Sequence, residues 1–263
     1  MKKFWMTVLG SMLTVSTAQA EWAVNMPVGV TDMSALIFDL HMYVMWICVA
    51  IAVVVFGVMT AAMVKFRKSQ GAEPATWSHN TIAEIVWTTI PIFILIAMAV
   101  PAARALIQIE DTRNTEMTIK ITGYQWKWQY EYVGEDVRFF STLAESSNAA
   151  RVLGSDIDPR SVENYLLDVD KPLVIPVDTK VRYLLTANDV LHAWWVPDFA
   201  VKKDAIPGFI NEGWFQVNEV GTFRGQCAEL CGKDHGFMPV VVEVLSKEDY
   251  AAWLEAQKSG NNG

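Results

Sequence analysis

A cluster of sulfur and nitrogen side chains near the C-terminus offers the clearest chemistry in this sequence. Cys227, Cys231, His235 and Met238 follow one another with the spacing C-x3-C-x3-H-x2-M, and His192 lies in an apolar and aromatic segment upstream. Thiolate, thioether and imidazole groups are soft or borderline metal ligands. One tight loop can present the first four side chains. The pattern therefore predicts a metal site that His192 completes from a neighbouring strand.

Three kinds of site are compatible with the two cysteines. In an exported domain they can form a disulfide, because that compartment is oxidising. Two thiolates and two imidazoles also suit zinc. A methionine is a poor zinc ligand but suits copper, so copper is favoured over zinc and over a disulfide. A mononuclear copper site needs one cysteine, whereas two thiolates that bridge two coppers use every ligand, with Met238 and a carbonyl in weak positions.

A rigid copper pair that shares one electron changes its geometry little on reduction. It implies no open coordination position for a substrate. The pattern therefore predicts electron transfer rather than bond-making chemistry. The third cysteine, Cys48, lies in a long apolar run and is predicted to be a small core residue.

Short strands separated by turn residues predict the domain that positions this cluster. Alternating and apolar runs indicate strands, and Gly, Pro, Asp and Asn lie between them. The predicted strands are 117–122, continued by 124–132, then 173–176, 181–186, 214–217 and 240–245. Such strands are typical of a sandwich or a Greek-key barrel. A surface insertion or short helices are predicted for 134–165, and a helix for 247–258 before a short tail.

The first residues have the features of an export signal. Lys2 and Lys3 precede a short apolar stretch that ends in the small-x-small sequence Ala18-Gln19-Ala20. The stretch is short for a membrane span, so a signal peptide over 1–20 is favoured over an uncleaved anchor. An external segment, 21–41, is predicted to follow.

Two further apolar stretches predict a membrane hairpin. Residues 42–64 and 84–104 are long enough to span a bilayer, and Pro91 is tolerable there because neighbouring helices satisfy the freed carbonyl. The basic residues between them, in 65–83, predict a cytoplasmic loop by the positive-inside rule. The C-terminal domain, 105–246, and the terminal helix and tail, 247–263, then lie outside.

Charge is distributed unevenly along the chain. The segment up to Arg104 holds five acids and six bases, so 24 of the 29 acids and 15 of the 21 lysines and arginines follow it. This excess of acids in the C-terminal domain argues against a nucleic-acid partner and for a basic one. An acidic surface can also serve solubility alone.

Several segments in this order resemble subunit II of bacterial cytochrome c oxidase. They are EIVWTTIP (84–91), GYQWKWQYEY (123–132), DVLHAWWVP (189–197), KKDAIPGFIN (202–211) and CAELCGKDHGFMP (227–239). With the preceding hairpin they cover nearly the whole mature chain. The resemblance implies a two-helix transmembrane hairpin followed by an all-β cupredoxin-like Greek-key barrel that carries a binuclear CuA centre.

The resemblance also implies roles for individual residues. The implied copper ligands are the side chains of His192, Cys227, Cys231, His235 and Met238, with the backbone carbonyl of Glu229. The Glu229 side chain would reach a magnesium ion shared with subunit I. Trp126 matches the residue at which electrons enter from cytochrome c, although a packed barrel tryptophan is the simpler interpretation. Glu84 matches the mouth of a proton-uptake channel, although an acid at a helix N-terminus also favours the helix dipole.

Acids that dock a lysine-rich cytochrome c are implied as well. They match Glu131, Asp170 and Asp189. Two positions depart from the family pattern: Lys127 stands where an aromatic residue is common, and Asn188 where some members have an acid. Both reduce the negative charge of the expected docking face.

The predicted function is electron entry into a respiratory oxidase of the bacterial inner membrane. Subunit I would hold the haems and reduce oxygen, subunit III would complete the assembly, and this chain alone would catalyse nothing. A membrane-tethered copper chaperone is the alternative, but it needs neither Met238 nor a second span with Glu84 at its mouth. The copper ligands argue against a quinol-oxidase subunit. The hairpin argues against nitrous-oxide reductase, which also needs a large catalytic domain.

Overall fold

The computed structural model describes residues 25–260. The predicted signal peptide, 1–20, and the last three residues of the predicted tail lie outside the described residues. The described chain consists of a pair of long helices followed by a β domain.

The long helices form a hairpin. The α-helices of the described chain are α1 Asp32–Lys65, α2 Thr81–Ile109, α3 Glu145–Ala150 and α4 Lys247–Gly260. Both α1 and α2 are long and apolar enough to cross a membrane, and the predicted spans lie inside them. The Tyr43 hydroxyl of α1 donates a hydrogen bond to the Ala97 carbonyl of α2 at 3.3 Å. The second helix contains Pro91 without interruption, as predicted, and also Pro101.

The first helix begins well before the predicted span. Thr31 caps it, because its side chain accepts the Ser34 amide while the Ser34 hydroxyl accepts the Thr31 amide. The Thr31 hydroxyl also donates to the Phe199 carbonyl at 3.3 Å. The predicted external segment therefore includes the first turns of α1, which contact the β domain.

Contacts at the end of α2 attach the hairpin to the β domain. The Trp214 indole donates a hydrogen bond at 3.1 Å to the Gln108 carbonyl near the helix end, which also accepts the Asp111 amide at 3.2 Å. The Lys203 ammonium pairs with the Glu110 carboxylate at 3.0 Å. The β domain thus rests on both helices of the hairpin.

Ten strands form two five-stranded sheets in the described residues. The strands are β1 Met117–Tyr124, β2 Lys127–Tyr132, β3 Val137–Ser141, β4 Leu173–Pro176, β5 Val181–Ala187, β6 His192–Val196, β7 Val201–Ala205, β8 Asn211–Phe215, β9 Gly221–Cys227 and β10 Pro239–Leu245. The sheet orders are β3-β2-β1-β5-β8 and β4-β10-β9-β6-β7. The pairs β1/β5 and β4/β10 are parallel and the other named pairs are antiparallel.

Aromatic side chains fill the space between the sheets. Strands β2 and β5 alternate buried and half-buried residues, so each sheet turns one face inward. Trp194 of one sheet stacks on Phe215 of the other with ring centroids 5.9 Å apart, and its indole donates to the Tyr130 hydroxyl at 3.3 Å. The predicted fold class, a two-helix hairpin followed by an all-β cupredoxin-like domain, is confirmed.

Some element predictions were wrong in detail. The predicted continuous run 124–132 is broken at Gln125 and Trp126, because β1 and β2 are antiparallel neighbours joined by this turn. The segment 134–165 contains β3 as well as a short helix, and β9 was not predicted. The predicted core residue Cys48 is exposed on α1, which packs against α2 alone among the long helices of the described residues.

Candidate metal centre

Three buried side chains converge in the β domain. His192, Cys227 and Cys231 each offer one ligand atom, and these atoms lie within 4.8 Å of one another. The Cys227 sulfur is 3.9 Å from His192 Nδ1 and 3.9 Å from the Cys231 sulfur, and the two sulfurs are not bonded. His192 is completely buried. The structure thus brings together three of the ligands that the sequence predicted.

The register between strands places these ligands. His192 is the first residue of β6 and Cys227 the last of β9, and Trp194 lies opposite Cys227 in the antiparallel pair. The Cys227 amide donates a hydrogen bond to the Met238 carbonyl at 3.0 Å. The loop that holds the other ligands therefore connects β9 to β10, which are adjacent strands of one sheet.

The other predicted copper ligands lie on the same loop. His235 Nδ1 is 3.5 Å from the Cys231 sulfur, and its side chain is half-buried on a short 3-10 turn. The Glu229 carbonyl lies 3.3 Å from the Cys227 sulfur, while Glu229 as a residue is exposed. Met238 is buried. The carbonyl of Glu229 and its carboxylate are thus available to different neighbours.

A carboxylate orients the His192 ring. Asp189 Oδ1 lies 2.9 Å from His192 Nε2, and the same carboxylate accepts the amides of Gln125 and Val190 at 2.7 Å each. Because Nε2 faces a carboxylate, it carries the proton and leaves the Nδ1 lone pair directed at the sulfurs. Burial alone would raise the pKa of Asp189, but these three hydrogen bonds outweigh it and lower the pKa.

The His192 ring lies so close to the backbone of residue 123 that only glycine fits at that position. A Cβ atom on Gly123 would lie 2.8 Å from His192 Cδ2. On another side the Trp128 ring meets the imidazole edge to face, with centroids 5.9 Å apart. Glycine at position 123 is therefore required by the ring of the predicted ligand, a role that the sequence analysis missed.

Trp126 contacts the loop directly. Its indole Nε1 donates a hydrogen bond to the Cys231 carbonyl at 3.1 Å, and the Gln125 side chain donates to the same oxygen at 2.9 Å. A Cβ atom on Gly232, whose φ is +118°, would lie 3.2 Å from Trp126 Cζ2. The half-buried ring thus packs against the backbone that follows Cys231 as well as against the buried core.

The two thiols differ in their affinity for protons. Burial opposes ionisation of Cys227, but hydrogen bonds with His192 and with the backbone of Ala193 and Glu229 outweigh it and lower its pKa to about 7. Burial, and then repulsion from the Cys227 thiolate, raise the pKa of Cys231 to about 12. The pair therefore loses one proton easily and the second with difficulty. A metal cation that replaces both protons removes this repulsion.

The donor set fits a soft or borderline metal cation. Two thiols and two imidazoles face one another, and the buried thioether residue Met238 adjoins them. Metal–sulfur bonds of about 2.3 Å, the length of zinc–thiolate bonds, are long enough to meet across the gap of 3.9 Å between the sulfurs. Sulfur and imidazole together suit copper.

Comparison with known proteins gives the family. Residues 117–245 match the family model described as cytochrome c oxidase subunit II, periplasmic domain, and residues 19–104 match the transmembrane domain of the same subunit. This chain belongs to the cytochrome c oxidase subunit II family. It is therefore a subunit of an oxidoreductase and has a transmembrane region, and its family supports copper binding.

The matches between this chain and its curated relatives extend over most of both sequences. The probable cytochrome c oxidase subunit 2 of Rickettsia bellii is 38% identical over 258 residues, which are 97% of this chain and 92% of the relative. Cytochrome c oxidase subunit 2 of Cereibacter sphaeroides is 36% identical over 226 residues, 83% of this chain and 75% of the relative. The crystal structure of the periplasmic domain of subunit II from Bradyrhizobium japonicum is 41% identical, with a TM-score of 0.48, and the match covers 57% of this chain and 98% of that one.

The acids expected to dock cytochrome c lie in different surroundings in this member of the subunit II family. Glu131 of β2 stands opposite Lys120 and Arg138 on its two neighbouring strands. The carboxylate of the exposed Asp170 accepts the Thr142 amide at 2.7 Å. Asp189 is turned towards His192, as described above. The three acids therefore have separate local roles as well as negative charge.

Glu84 lies in the first turn of α2. Asn80 caps this helix through its side-chain oxygen, which accepts the Ala83 amide at 3.1 Å. Glu84 is exposed there. This position suits an acid that stabilises the positive end of the helix dipole, and it also leaves the carboxylate accessible from the loop side of the span.

Sequence reasoning missed the residues that support the ligands. Gln125 bonds both Asp189 and the Cys231 carbonyl, and Gly123 leaves space for His192. Both lie in the aromatic segment that the sequence analysis had marked, so their proximity to motif residues was the available signal. Arg151, in the segment without a clear pattern, carried no such signal.

Proposed function

We propose that this chain receives electrons from cytochrome c at a binuclear copper centre and passes them to a haem of subunit I. Oxygen is reduced to water in subunit I, and most of the proton pumping takes place there. The observation that carries the proposal is the buried cluster of His192, Cys227 and Cys231, with His235 at 3.5 Å from the Cys231 sulfur. Such a closed, protein-lined set of ligands suits electron transfer, because it leaves no coordination position for a substrate.

The residues of the site divide the work of holding the metal. The proposed copper ligands are the side chains of His192, Cys227, Cys231, His235 and Met238 and the carbonyl of Glu229. Copper, when bound, supplies a one-electron redox centre. Asp189 holds the proton of His192 on Nε2 and so keeps Nδ1 free for the metal. The burial of His192 and both thiols excludes water from the ligand atoms.

Trp126 is the proposed point of electron entry. Its ring is half-buried, and its indole N–H is one hydrogen bond of 3.1 Å away from the carbonyl of a proposed ligand, Cys231. An electron that reaches the indole therefore needs no further aromatic residue to reach the site. The excess of acids after Arg104 attracts a basic donor such as cytochrome c.

The remaining assignments concern the rest of the complex. The hairpin crosses the bacterial inner membrane twice, with residues 65–83 in the cytoplasm and the β domain in the periplasm. The exposed Glu229 side chain binds a magnesium ion shared with subunit I, which holds the haem, and subunit III joins the assembly. The exposed Glu84 lies at the mouth of a proton-uptake path.

Copper stoichiometry and EPR spectroscopy test the proposal on the purified full chain in detergent. The chain is loaded with copper under reducing conditions and then oxidised by one electron per copper pair, because a fully reduced pair has no unpaired electron. We expect two coppers per chain and a hyperfine pattern in which one unpaired electron couples equally to both nuclei. One copper per chain, or a reversible disulfide with weak Cu(I) binding, would overturn the proposal and favour a copper chaperone.

A further inference from the structure

Arg151 connects the segment between β3 and β4 to the turn that carries His235. We propose that Arg151 is a positioning residue for His235: it holds the short 3-10 turn His235–Phe237 from outside the ligand loop. The inference rests on the proposed copper site in so far as His235 is taken as a ligand. The position of the turn itself can be tested without metal.

The His235 turn has little support of its own. It spans three residues, and its preceding residue, Asp234, makes no side-chain cap to it. Gly232, before it, and Gly236, within it, are both exposed. A single 3-10 turn is held by few hydrogen bonds, here from the His235 amide to the Gly232 carbonyl at 3.3 Å and from the Phe237 amide to the Asp234 carbonyl at 2.9 Å. Additional contacts are therefore needed to fix the imidazole.

Arg151 supplies contacts on both sides of the histidine. Its Nη1 lies 3.5 Å from Asp234 Oδ1, and its guanidinium carbon lies 4.3 Å from the centre of the Phe237 ring. The side chains of Arg151 and Asp234 are 28% and 23% exposed. A planar cation can bind a carboxylate and stack on an aromatic ring at once, which an ammonium group does less well. The Arg151 side chain thus contacts Asp234, just before His235, and Phe237, two residues after it.

The base from which Arg151 projects is itself fixed. Arg151 follows the last residue of α3, and its Nε donates to Asn148 Oδ1 at 2.8 Å. Ser147 of the same helix is fully buried and its hydroxyl accepts the Leu166 amide at 3.0 Å. At the start of the segment, the Ala144 amide donates to the Asp168 carbonyl at 3.0 Å. These contacts join the start of the segment between β3 and β4 to its end, so the backbone that carries Arg151 is held in place.

An open surface pocket lies beside the turn. A space of about 180 Å³ lies between Trp126, Leu143, Arg151 and Phe237. Without the guanidinium, the Phe237 ring has room to move into this space, and His235 would move with it. An ion pair at this exposure contributes little to global stability. The expected consequence is therefore a change in the position of His235 rather than unfolding.

The test compares Arg151→Met, Arg151→Lys and a matched control, Arg160→Met, in the full chain in detergent. Arg160 lies in the same segment and is exposed, so its replacement removes the same charge without touching the turn. The chain has four histidines, which makes selective imidazole labelling for NMR practical. In the metal-free protein we expect the His235 signal of Arg151→Met to broaden or split, while His192 keeps its signal. Arg151→Lys should restore part of the wild-type behaviour, because the charge remains and the stacking is lost.

The copper-loaded variants give the second readout. We expect Arg151→Met to release copper to a chelator about 10-fold faster than the wild type, the lower end of the effects of residues that orient ligands. Its EPR hyperfine pattern should become unequal at the two nuclei, and Arg160→Met should match the wild type. Unchanged His235 signals and unchanged release in Arg151→Met would overturn the inference. Failure of the wild type to bind two coppers would overturn the proposed function instead, and the metal-free NMR comparison would still decide the role of Arg151.

Discussion

The two predicted histidine ligands are held in different ways. His192 is the first residue of a strand, is completely buried, and has its Nε2 fixed by Asp189 at 2.9 Å. His235 is half-buried on a three-residue turn. Its outside support reaches it through Asp234 and Phe237 rather than through its own ring. One ligand is part of the sheet core, and the other depends on a segment packed against the loop.

This difference indicates that one side of the site is rigid and that the other can admit metal. Burial and direct hydrogen bonding fix the His192 side before any metal is present, because breaking them exposes or unpairs buried polar groups. The His235 side can open without disturbing the sheets. Metal would then enter and leave from the His235 side, while the His192 side and the two thiols stay in place.

The largest expected effect comes from adding a methyl group on the His192 side, compared with adding one on the His235 side. Gly123→Ala places a Cβ 2.8 Å from the His192 ring, which Asp189 and Trp128 prevent from moving. We expect overpacking to cost about 1–3 kcal/mol of unfolding free energy and copper binding to be lost. Gly236→Ala is the matched control on the other side, because a Cβ there meets nothing within 4 Å. Denaturant unfolding and copper counting measure both variants, and equal losses in the two would contradict the comparison.

A smaller effect is expected from neutralising one acid on each side. Asp189 accepts hydrogen bonds from the N–H groups of His192, Gln125 and Val190 through both carboxylate oxygens. In Asp189→Asn one of these oxygens becomes an NH2 group, which then faces an N–H donor. We expect Asp189→Asn to weaken copper binding by about 10- to 100-fold. Asp234→Asn keeps an oxygen for Arg151 and should have a clearly smaller effect. Competition with a Cu(I) chelator measures both, and a stronger effect at Asp234 would reverse our assignment of the rigid side.

An effect that is absent at neutral pH is the alkaline pH dependence of the core that surrounds His192. Burial raises the pKa values of Tyr130, Tyr132 and Tyr183 above the usual value. The unfolded chain then ionises these phenols first, so stability is full below about pH 10 and falls above it by about 1.4 kcal/mol per pH unit for each tyrosine that stays protonated. Urea unfolding at several alkaline pH values measures this slope.

The matched variant for this prediction is Tyr132→Phe. It removes one titrating group, together with the hydrogen bonds of the Tyr132 hydroxyl to the Val174 backbone. We expect lower stability at neutral pH but a shallower alkaline slope. A slope equal to that of the wild type would show that Tyr132 does not contribute to the pH dependence.

Much of the fold follows from local sequence patterns. The predicted strands 173–176, 181–186 and 240–245 lie within β4, β5 and β10, and the apolar stretches lie within α1 and α2. These segments carry their own periodicity or length. Strand β9 was not predicted, because its sequence, GTFRGQC, has two glycines and little alternation and becomes a strand by pairing with β6 and β10.

The sequence by itself determined the chemical types of the ligands and the loop that presents most of them. Cys227, Cys231, His235 and Met238 lie within twelve residues of one another, so their proximity needs no knowledge of the rest of the fold. Only the tertiary structure decided what holds them. The exposed Asp189 hydrogen-bonds the buried His192, and Arg151 meets Asp234 from a position far away in the chain. Such contacts depend on strand register and on the packing of a closed segment, which local patterns do not encode.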